Sequence, residues 1–155
     1  MRWSSAQAER LIYEKTILQY ELPQFTMGGI DGSGYTHVEG WEISSGYRYE
    51  YMLVAAIPRG YPEDTPRLFV AEPNSLFRYD GTPIPPSSHD FHTGPRHPTT
   101  NAVEICHCSP SLWNPSMTLT GTLFRGLLWL YCYEEHLRTG RTIENVYEEL
   151  RRRTG

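Results

Sequence analysis

One thiol, that of Cys106, lies in a segment whose residue types favour an accessible nucleophile. The segment 105–110, Ile-Cys-His-Cys-Ser-Pro, precedes an apolar helix-like stretch, and its proline excludes a regular helix or a central strand. A thiolate is both a nucleophile and a good leaving group, so a reachable cysteine can carry an acyl group as a thioester. Spacing alone does not separate the exposure of Cys106 from that of Cys108. Cys132, on an apolar helix face, is expected to be inert core.

Two other chemistries use the same stretch of chain. Sulfur and imidazole donors within twenty residues suit a zinc cluster formed by His89, His92, His97, Cys106, His107 and Cys108. The one-residue gap between the two cysteines is not that of a zinc knuckle, which argues against a metal. A papain-like hydrolase with His97 or His136 as its base is the second option, but no C-G-x-C-W type segment surrounds Cys106.

The elements that must position this thiol begin with a helix and a set of strands. Residues 5–22 have apolar positions three and four apart, the spacing of one helical face, and Pro23 ends the helix. A glycine-rich turn at 28–34 precedes a strand at 38–43 that has Trp41 and Ile43 on one face. A clearer strand, 47–57, alternates apolar and polar residues, and a short one follows at 67–71. Short turns between sequential strands predict an antiparallel meander of about four strands.

A long loop and two helices complete the predicted α+β chain. Residues 72–104 hold six of the twelve prolines and three histidines without helical or strand period, which predicts an ordered loop with a functional role. Beyond it, a helical face is formed by Leu119, Leu123, Leu127, Leu130 and Tyr131. Gly140 is the expected C-cap, and a last amphipathic helix begins at Arg141 or Thr142.

Composition restricts the class of protein. At 155 residues the chain fits one domain, spanning 1–155, with a real core. The net charge is −4 and the only basic run, 151–153, is too short for a nucleic-acid face. The N-terminus has no apolar leader and no stretch approaches the ~20 apolar residues that span a bilayer, so a cytoplasmic protein is expected. The odd number of cysteines favours reduced thiols over a disulfide framework.

The order of several short motifs resembles the ubiquitin-conjugating enzyme family. The family pattern is a strand, a Pro/Tyr-Pro loop, His-Pro-Asn, Ile-Cys or Leu-Cys, Trp-x-Pro and a helix. Here these are Pro58 to Pro62 with Pro66, His97-Pro98-Thr99, Ile105-Cys106, and Trp113-Asn114-Pro115 with the helix from Thr118. The resemblance covers most of the chain, and it implies a ubiquitin-conjugating-enzyme-like fold with Cys106, and not Cys108, at the catalytic position.

The resemblance also implies roles for the residues that support Cys106. His97 and Pro98 would shape the active-site loop, and Trp113 would pack under it. Thr99 stands where the family has the asparagine that steadies the oxyanion formed when an amine attacks the thioester, while Asn101 lies two residues further on. Either hydrogen-bond donor would fit that role, and the sequence leaves the choice open.

The C-terminal part resembles bacterial members of the family from antiphage (CBASS) operons. These members show W-L-x-x-Y-E-x-W-x-x-T-G-x-W, whereas this chain has His136 in place of the second tryptophan of the pattern. The resemblance implies that the carried protein is a cyclic-oligonucleotide-synthesising, cGAS-like nucleotidyltransferase or a ubiquitin-like protein, loaded by a separate activating enzyme if one is used. No cofactor is expected.

The predicted function is therefore thioester transfer. Cys106 would accept the C-terminal carboxyl of a partner protein and pass it to a target amine. Two alternatives from other classes remain: a non-catalytic interaction module of the same fold, and a zinc-stabilised binding domain.

Overall fold

The chain folds as an α+β protein with one antiparallel sheet. The computed structural model describes residues 3–30 and 35–154. In chain order these form α1 (Ser5–Glu21), β1 (Phe25–Gly28), β2 (His37–Glu42), β3 (Tyr51–Ala56), β4 (Arg67–Glu72), β5 (Val103–Ile105), α2 (Leu119–Thr139) and α3 (Ile143–Thr154). Part of the glycine-rich turn predicted at 28–34, residues 31–34, lies outside the described residues. No helix in the described ranges is long and apolar enough to cross a membrane.

Helix α1 forms as the spacing predicts. Ser4 caps it, because its side chain accepts a hydrogen bond from the Gln7 amide while the Ser4 amide donates one to the Gln7 side-chain oxygen. Leu11 and Leu18 are buried on one face. Ile12, which was predicted on the same face, is 57% exposed, because consecutive residues lie about 100° apart around a helix.

The antiparallel meander is confirmed, but in the part of the chain that the structure describes it has five strands and not about four. The strands follow one another across the sheet from β1 to β5, each antiparallel to its neighbours. The two edge strands, β1 and β5, were missed because four and three residues are too few to show a period. The predicted strand 47–57 begins only at Tyr51, and its buried odd positions include Tyr51, Leu53 and Ala55, as its alternation predicts.

One face of the sheet packs against α1 and α2, and this face determines which strand residues are buried. In β2, Val38 and Gly40 face the core. Trp41, and Ile43 just beyond the end of the strand, are exposed. Gly126 allows α2 to approach closely, since a Cβ at this position would lie 2.7 Å from a methyl group of Leu68.

The two C-terminal helices are close to those predicted. Leu119, Leu123 and Leu130 of α2 are buried, but Tyr131 is 42% exposed and so lies outside the predicted core face. Gly140 caps α2 with a left-handed φ of 78°, as predicted. Helix α3 then begins at Ile143.

The long segment between β4 and β5 has neither helix nor named strand, but it is shorter than the predicted loop 72–104, because Glu72 belongs to β4 and Val103 and Glu104 belong to β5. Its hydrogen bonds with α2 hold it in place. The Trp129 indole donates to the Phe91 carbonyl at 2.9 Å, and the Tyr133 hydroxyl donates to the Phe77 carbonyl at 2.7 Å. The Arg96 guanidinium donates to the Ile84 carbonyl within the segment.

A buried carboxylate, which the sequence did not reveal, connects three parts of the fold. Glu14 of α1 is 1% exposed. One of its oxygens accepts a hydrogen bond from the Leu119 amide at 2.6 Å, and the other accepts from the Tyr61 hydroxyl and from Arg10. Glu14 therefore connects α1, the Pro58–Pro66 loop and the first residue of α2.

Candidate active site

Cys106 follows β5 directly, and its side chain is exposed. Its amide donates to the His92 carbonyl at 2.9 Å, and the Gly94 amide donates to the Glu104 carbonyl at 3.0 Å. Residues 92–97 thus pair with residues 102–106 as a hairpin at the edge of the sheet. The hairpin holds the backbone of Cys106 and leaves the thiol open to solvent.

The thiol lies in a groove of about 400 Å³. The groove is lined on the sheet side by Arg67 and Glu104, whose side chains form two parallel hydrogen bonds of 2.9 and 3.0 Å. Pro66 and Pro95 line it as well.

The electrostatics of the groove favour the neutral thiol. Partial burial raises the pKa of Cys106, and the negative charge of Glu104 and the neighbouring Cys108 add to the rise. At neutral pH Cys106 is therefore mostly protonated. Chemistry at this sulfur needs an acyl donor that is already activated, or a group that accepts the proton.

The three cysteines differ clearly in the structure, although the sequence did not separate Cys106 from Cys108. Cys108 is half-buried, packs against the core and donates to the Ser109 carbonyl at 3.4 Å. Cys132 is buried, as predicted, and burial raises its pKa to about 12. Cys106 is the most exposed of the three.

His97 holds the turn of the hairpin. Its Nδ1 accepts hydrogen bonds from the amides of Thr99 and Thr100 at 3.2 and 3.1 Å, and its own amide donates to the Ala102 carbonyl at 2.9 Å. The Asn101 amide donates to the His97 carbonyl, and Asn101 adopts a left-handed φ of 62°. Nδ1 of this imidazole is thereby occupied by backbone amides.

The turn lies at the opposite end of the hairpin from Cys106. Pro98, Thr99 and Asn101 are exposed there, and the four residue-to-residue steps from Ala102 to Cys106 span about 13 Å in an extended chain. Thr99 also lines a different groove, on the open face of the sheet. The structure therefore does not bring Thr99 or Asn101 within hydrogen-bonding reach of an oxyanion on Cys106, the role that the resemblance implied.

Trp113 and His107 pack beneath the cysteine segment. Trp113 is 8% exposed, its indole donates to the Pro62 carbonyl at 2.9 Å, and its ring lies 6.1 Å from that of His107. Nε2 of His107 donates to the Pro66 carbonyl at 2.7 Å, and burial lowers the pKa of this histidine. Together these contacts tie the Cys106–Cys108 segment to the Pro58–Pro66 loop.

His92 and two residues of α3 form a group beside Cys106 that the sequence did not single out for catalysis. Nε2 of His92 bonds to the Glu144 carboxylate, and the His92 ring lies 4.7 Å from that of Tyr147. Burial raises the pKa of Tyr147, and Cys132 and Cys106 contribute to the rise, so both thiols lie within electrostatic range of this hydroxyl. Fifty-two positions separate His92 from Glu144, and no local pattern signals such a pair.

The structure shows the side-chain arrangement of neither a zinc cluster nor a papain-like hydrolase in the residues it describes. Across residues 3–30 and 35–154, no three His, Cys, Asp or Glu side chains converge on a point that could hold a metal ion. His136 is 1% exposed, with one ring nitrogen bonded to the Arg141 carbonyl and the other accepting from the Tyr79 amide. It cannot serve as the base of a cysteine hydrolase, and His97 lies at the turn, at the opposite end of the hairpin from Cys106.

Comparisons with protein-family models, with curated proteins and with solved structures found no match to this chain.

Proposed function

We propose that this protein is a ubiquitin-conjugating-like transferase that carries the C-terminus of a partner protein as a thioester on Cys106. The observation that carries the proposal is the exposed thiol at the end of β5, held by a hairpin above a groove. The order of elements, a helix, an antiparallel meander, a long loop and two helices, also agrees with the ubiquitin-conjugating-enzyme-like fold that the motifs suggest.

The reaction needs little from the protein beyond positioning. A thioester is already activated toward amines, so the main requirements are a fixed sulfur, room for the acyl chain and a route for the amine. The raised pKa of Cys106 fits a carrier that receives an activated acyl group better than a protease that must attack an unactivated amide. The target amine is a lysine or another primary amine.

The proposed partners follow from the resemblance described above. The carried protein is a cGAS-like nucleotidyltransferase or a ubiquitin-like protein, with an activating enzyme upstream where one is encoded, and the setting is antiphage (CBASS) defence in the cytoplasm. No nucleic acid or membrane takes part. The rival proposal, a non-catalytic module, is favoured by a second groove of about 500 Å³ on the open face of the sheet, lined by Val54, Phe69 and His97.

The test uses the nucleotidyltransferase or ubiquitin-like protein encoded beside the gene, with its activating enzyme and ATP if one is encoded. The expected product is a covalent adduct on a non-reducing gel that dithiothreitol removes. The adduct should be lost in Cys106→Ala, retained in the matched control Cys108→Ala, and resistant to dithiothreitol as an oxygen ester in Cys106→Ser. An adduct that survives Cys106→Ala, or no adduct with any of these partners, contradicts the transferase and leaves the module.

A further inference from the structure

The hairpin that fixes Cys106 places a histidine directly across from it. The Cys106 amide donates to the His92 carbonyl, so these two residues are cross-strand neighbours at the open end of the hairpin. The His92 side chain is 22% exposed, so solvent reaches part of it.

One nitrogen of the His92 ring is held by a hydrogen bond. Nε2 bonds to Glu144, whose own amide donates to the Asp90 carbonyl at 2.9 Å and whose second oxygen accepts from Arg151 at 2.9 Å. The ring of Tyr147 packs against the imidazole. Nδ1 of His92 makes no hydrogen bond within the part of the chain that the structure describes, so one nitrogen is anchored and the other is free for a ligand.

The backbone of His92 is also unusual, with a φ of 49° in the left-handed region. This conformation is unfavourable for a non-glycine residue and tends to occur at functional sites. The hydrogen bond from the Glu144 amide to the Asp90 carbonyl holds α3 against the loop that carries His92.

We propose that Nδ1 of His92, with its ring positioned by Glu144, accepts the proton of the amine that attacks the Cys106 thioester. The inference rests on the proposed function and adds the proton acceptor that the motifs did not supply. In this assignment His92 is a catalytic residue and Glu144 is a positioning residue.

The step balances without any further reactant. The lone pair of the neutral amine forms a C–N bond to the thioester carbonyl carbon, and the C–S bond breaks with its electron pair going to Sγ of Cys106. The proton lost by the nitrogen is held on Nδ1 of His92 and then passes to Sγ. The products are an amide, the free thiol and the neutral imidazole. The raised pKa of Cys106 favours this return of the proton to sulfur.

The charged and titratable groups around His92 are consistent with this role. The carboxylate of Glu144 stabilises the imidazolium while it holds the proton, and Arg151 binds the opposite oxygen of that carboxylate. Burial keeps Tyr147 protonated by raising its pKa, so its hydroxyl does not compete for the proton at neutral pH. His89 lies on the same loop and is exposed. Its ring centroid is 5.5 Å from that of His92, and the two rings are tilted by 35°.

The experiment separates this inference from the proposed function, because it needs no protein partner. In a Cys108→Ala background, p-nitrophenyl acetate is used to acetylate Cys106, and peptide mass spectrometry confirms the site. Excess reagent is removed, and the acetyl group is discharged to free lysine across a range of pH. We expect His92→Gln to load normally but to discharge about 10²-fold more slowly at neutral pH. His89→Gln, the matched control, should discharge at the parental rate.

A second variant guards against a folding defect. His92→Gly suits the positive φ of this position, so its fold should be retained, and added imidazole should restore its discharge relative to the parent at the same imidazole concentration. Glu144→Gln should slow discharge by about 10-fold while Cys106 is acetylated at the parental rate, since the ring loses the bond that orients it. A purely structural role for Glu144 would slow acetylation and discharge alike.

The outcomes are distinct. Normal loading with unchanged discharge in both His92 variants overturns the inference and leaves the transferase proposal intact. Failure of Cys106 to load, or equal acetylation of Cys106→Ala, removes the thioester chemistry and overturns both.

Discussion

Two glutamates join distant parts of this chain, and they do so in different surroundings. Glu14 is 1% exposed and is enclosed by a tyrosine hydroxyl, a backbone amide and an arginine. Glu144 is 14% exposed and holds His92, whose ring is itself partly open. A fully enclosed carboxylate with all its partners fixed stabilises a frame. A half-open one beside an imidazole can take part in proton transfer at the surface.

The largest effect should come from removing the enclosed carboxylate. Glu14→Ala leaves Arg10, the Tyr61 hydroxyl and the Leu119 amide without their shared acceptor in a buried place, which we expect to cost about 3–5 kcal/mol in the free energy of unfolding. Urea denaturation measures it. Glu9→Ala, on the exposed side of the same helix, is the control and should change stability by less than about 0.5 kcal/mol. Equal effects of the two variants would show that Glu14 does not support the frame.

A smaller loss is expected when one donor to Glu14 is removed. Tyr61→Phe keeps the ring packed but deprives a buried carboxylate of a hydroxyl donor, so the free energy of unfolding should fall by about 1–3 kcal/mol. Tyr13→Phe, on the exposed surface of α1, should be silent in the same denaturation series. An unchanged urea midpoint for Tyr61→Phe would mean that Arg10 and the Leu119 amide satisfy the carboxylate alone.

The half-open carboxylate should matter more for pH dependence than for overall stability. Although burial opposes the change, the bonds to His92 and Arg151 lower the pKa of Glu144 below its ordinary value of 4.5. A depressed pKa in the folded state gives stability that is present above about pH 4.5 and is lost as the pH falls through the folded value. Glu144→Gln should therefore flatten the acid limb of stability against pH, with a loss on the order of 1 kcal/mol near pH 7. Parallel acid limbs in the two proteins would refute this coupling.

The smallest effect should be that of the outer arginine. Arg151 is 61% exposed, and its bond to Glu144 is screened by solvent and salt, so Arg151→Gln should change the unfolding free energy by no more than about 0.5 kcal/mol. The same substitution should leave discharge from Cys106 within about twofold of the parent, because His92 keeps its bond to the other carboxylate oxygen. A large effect in either measurement would indicate that Glu144 depends on both cations.

The features predicted well from sequence are those with a local signal. The alternation at Tyr51, Leu53 and Ala55 reports burial on one side of a strand, and Gly140 reports the left-handed end of a helix. Pro110 indicates an irregular segment around Cys106, although it does not separate Cys106 from Cys108. Each of these patterns is contained within a few consecutive residues, where period and backbone restriction act directly.

The features that were missed depend on contacts between distant parts of the chain. Neither the buried role of Glu14 nor the pairing of His92 with Glu144 leaves a mark on the neighbouring residues. The place of Thr99 relative to Cys106 depends on where the hairpin turns, and the hydrogen bonds of His97 put that turn at residues 98–101. A short motif spacing is compatible with several such turns, so position along the chain did not give position in space.

The pairing of the Cys106 amide with the opposite strand has a practical consequence for trapping intermediates. Because the amide of Cys106 is already bonded to the His92 carbonyl, attaching a large group to the side chain requires only rotation about the side chain's own bonds. A stable ester on Cys106→Ser should therefore crystallise with the sheet and helices unchanged. Density for the attached tail would then identify the cargo directly.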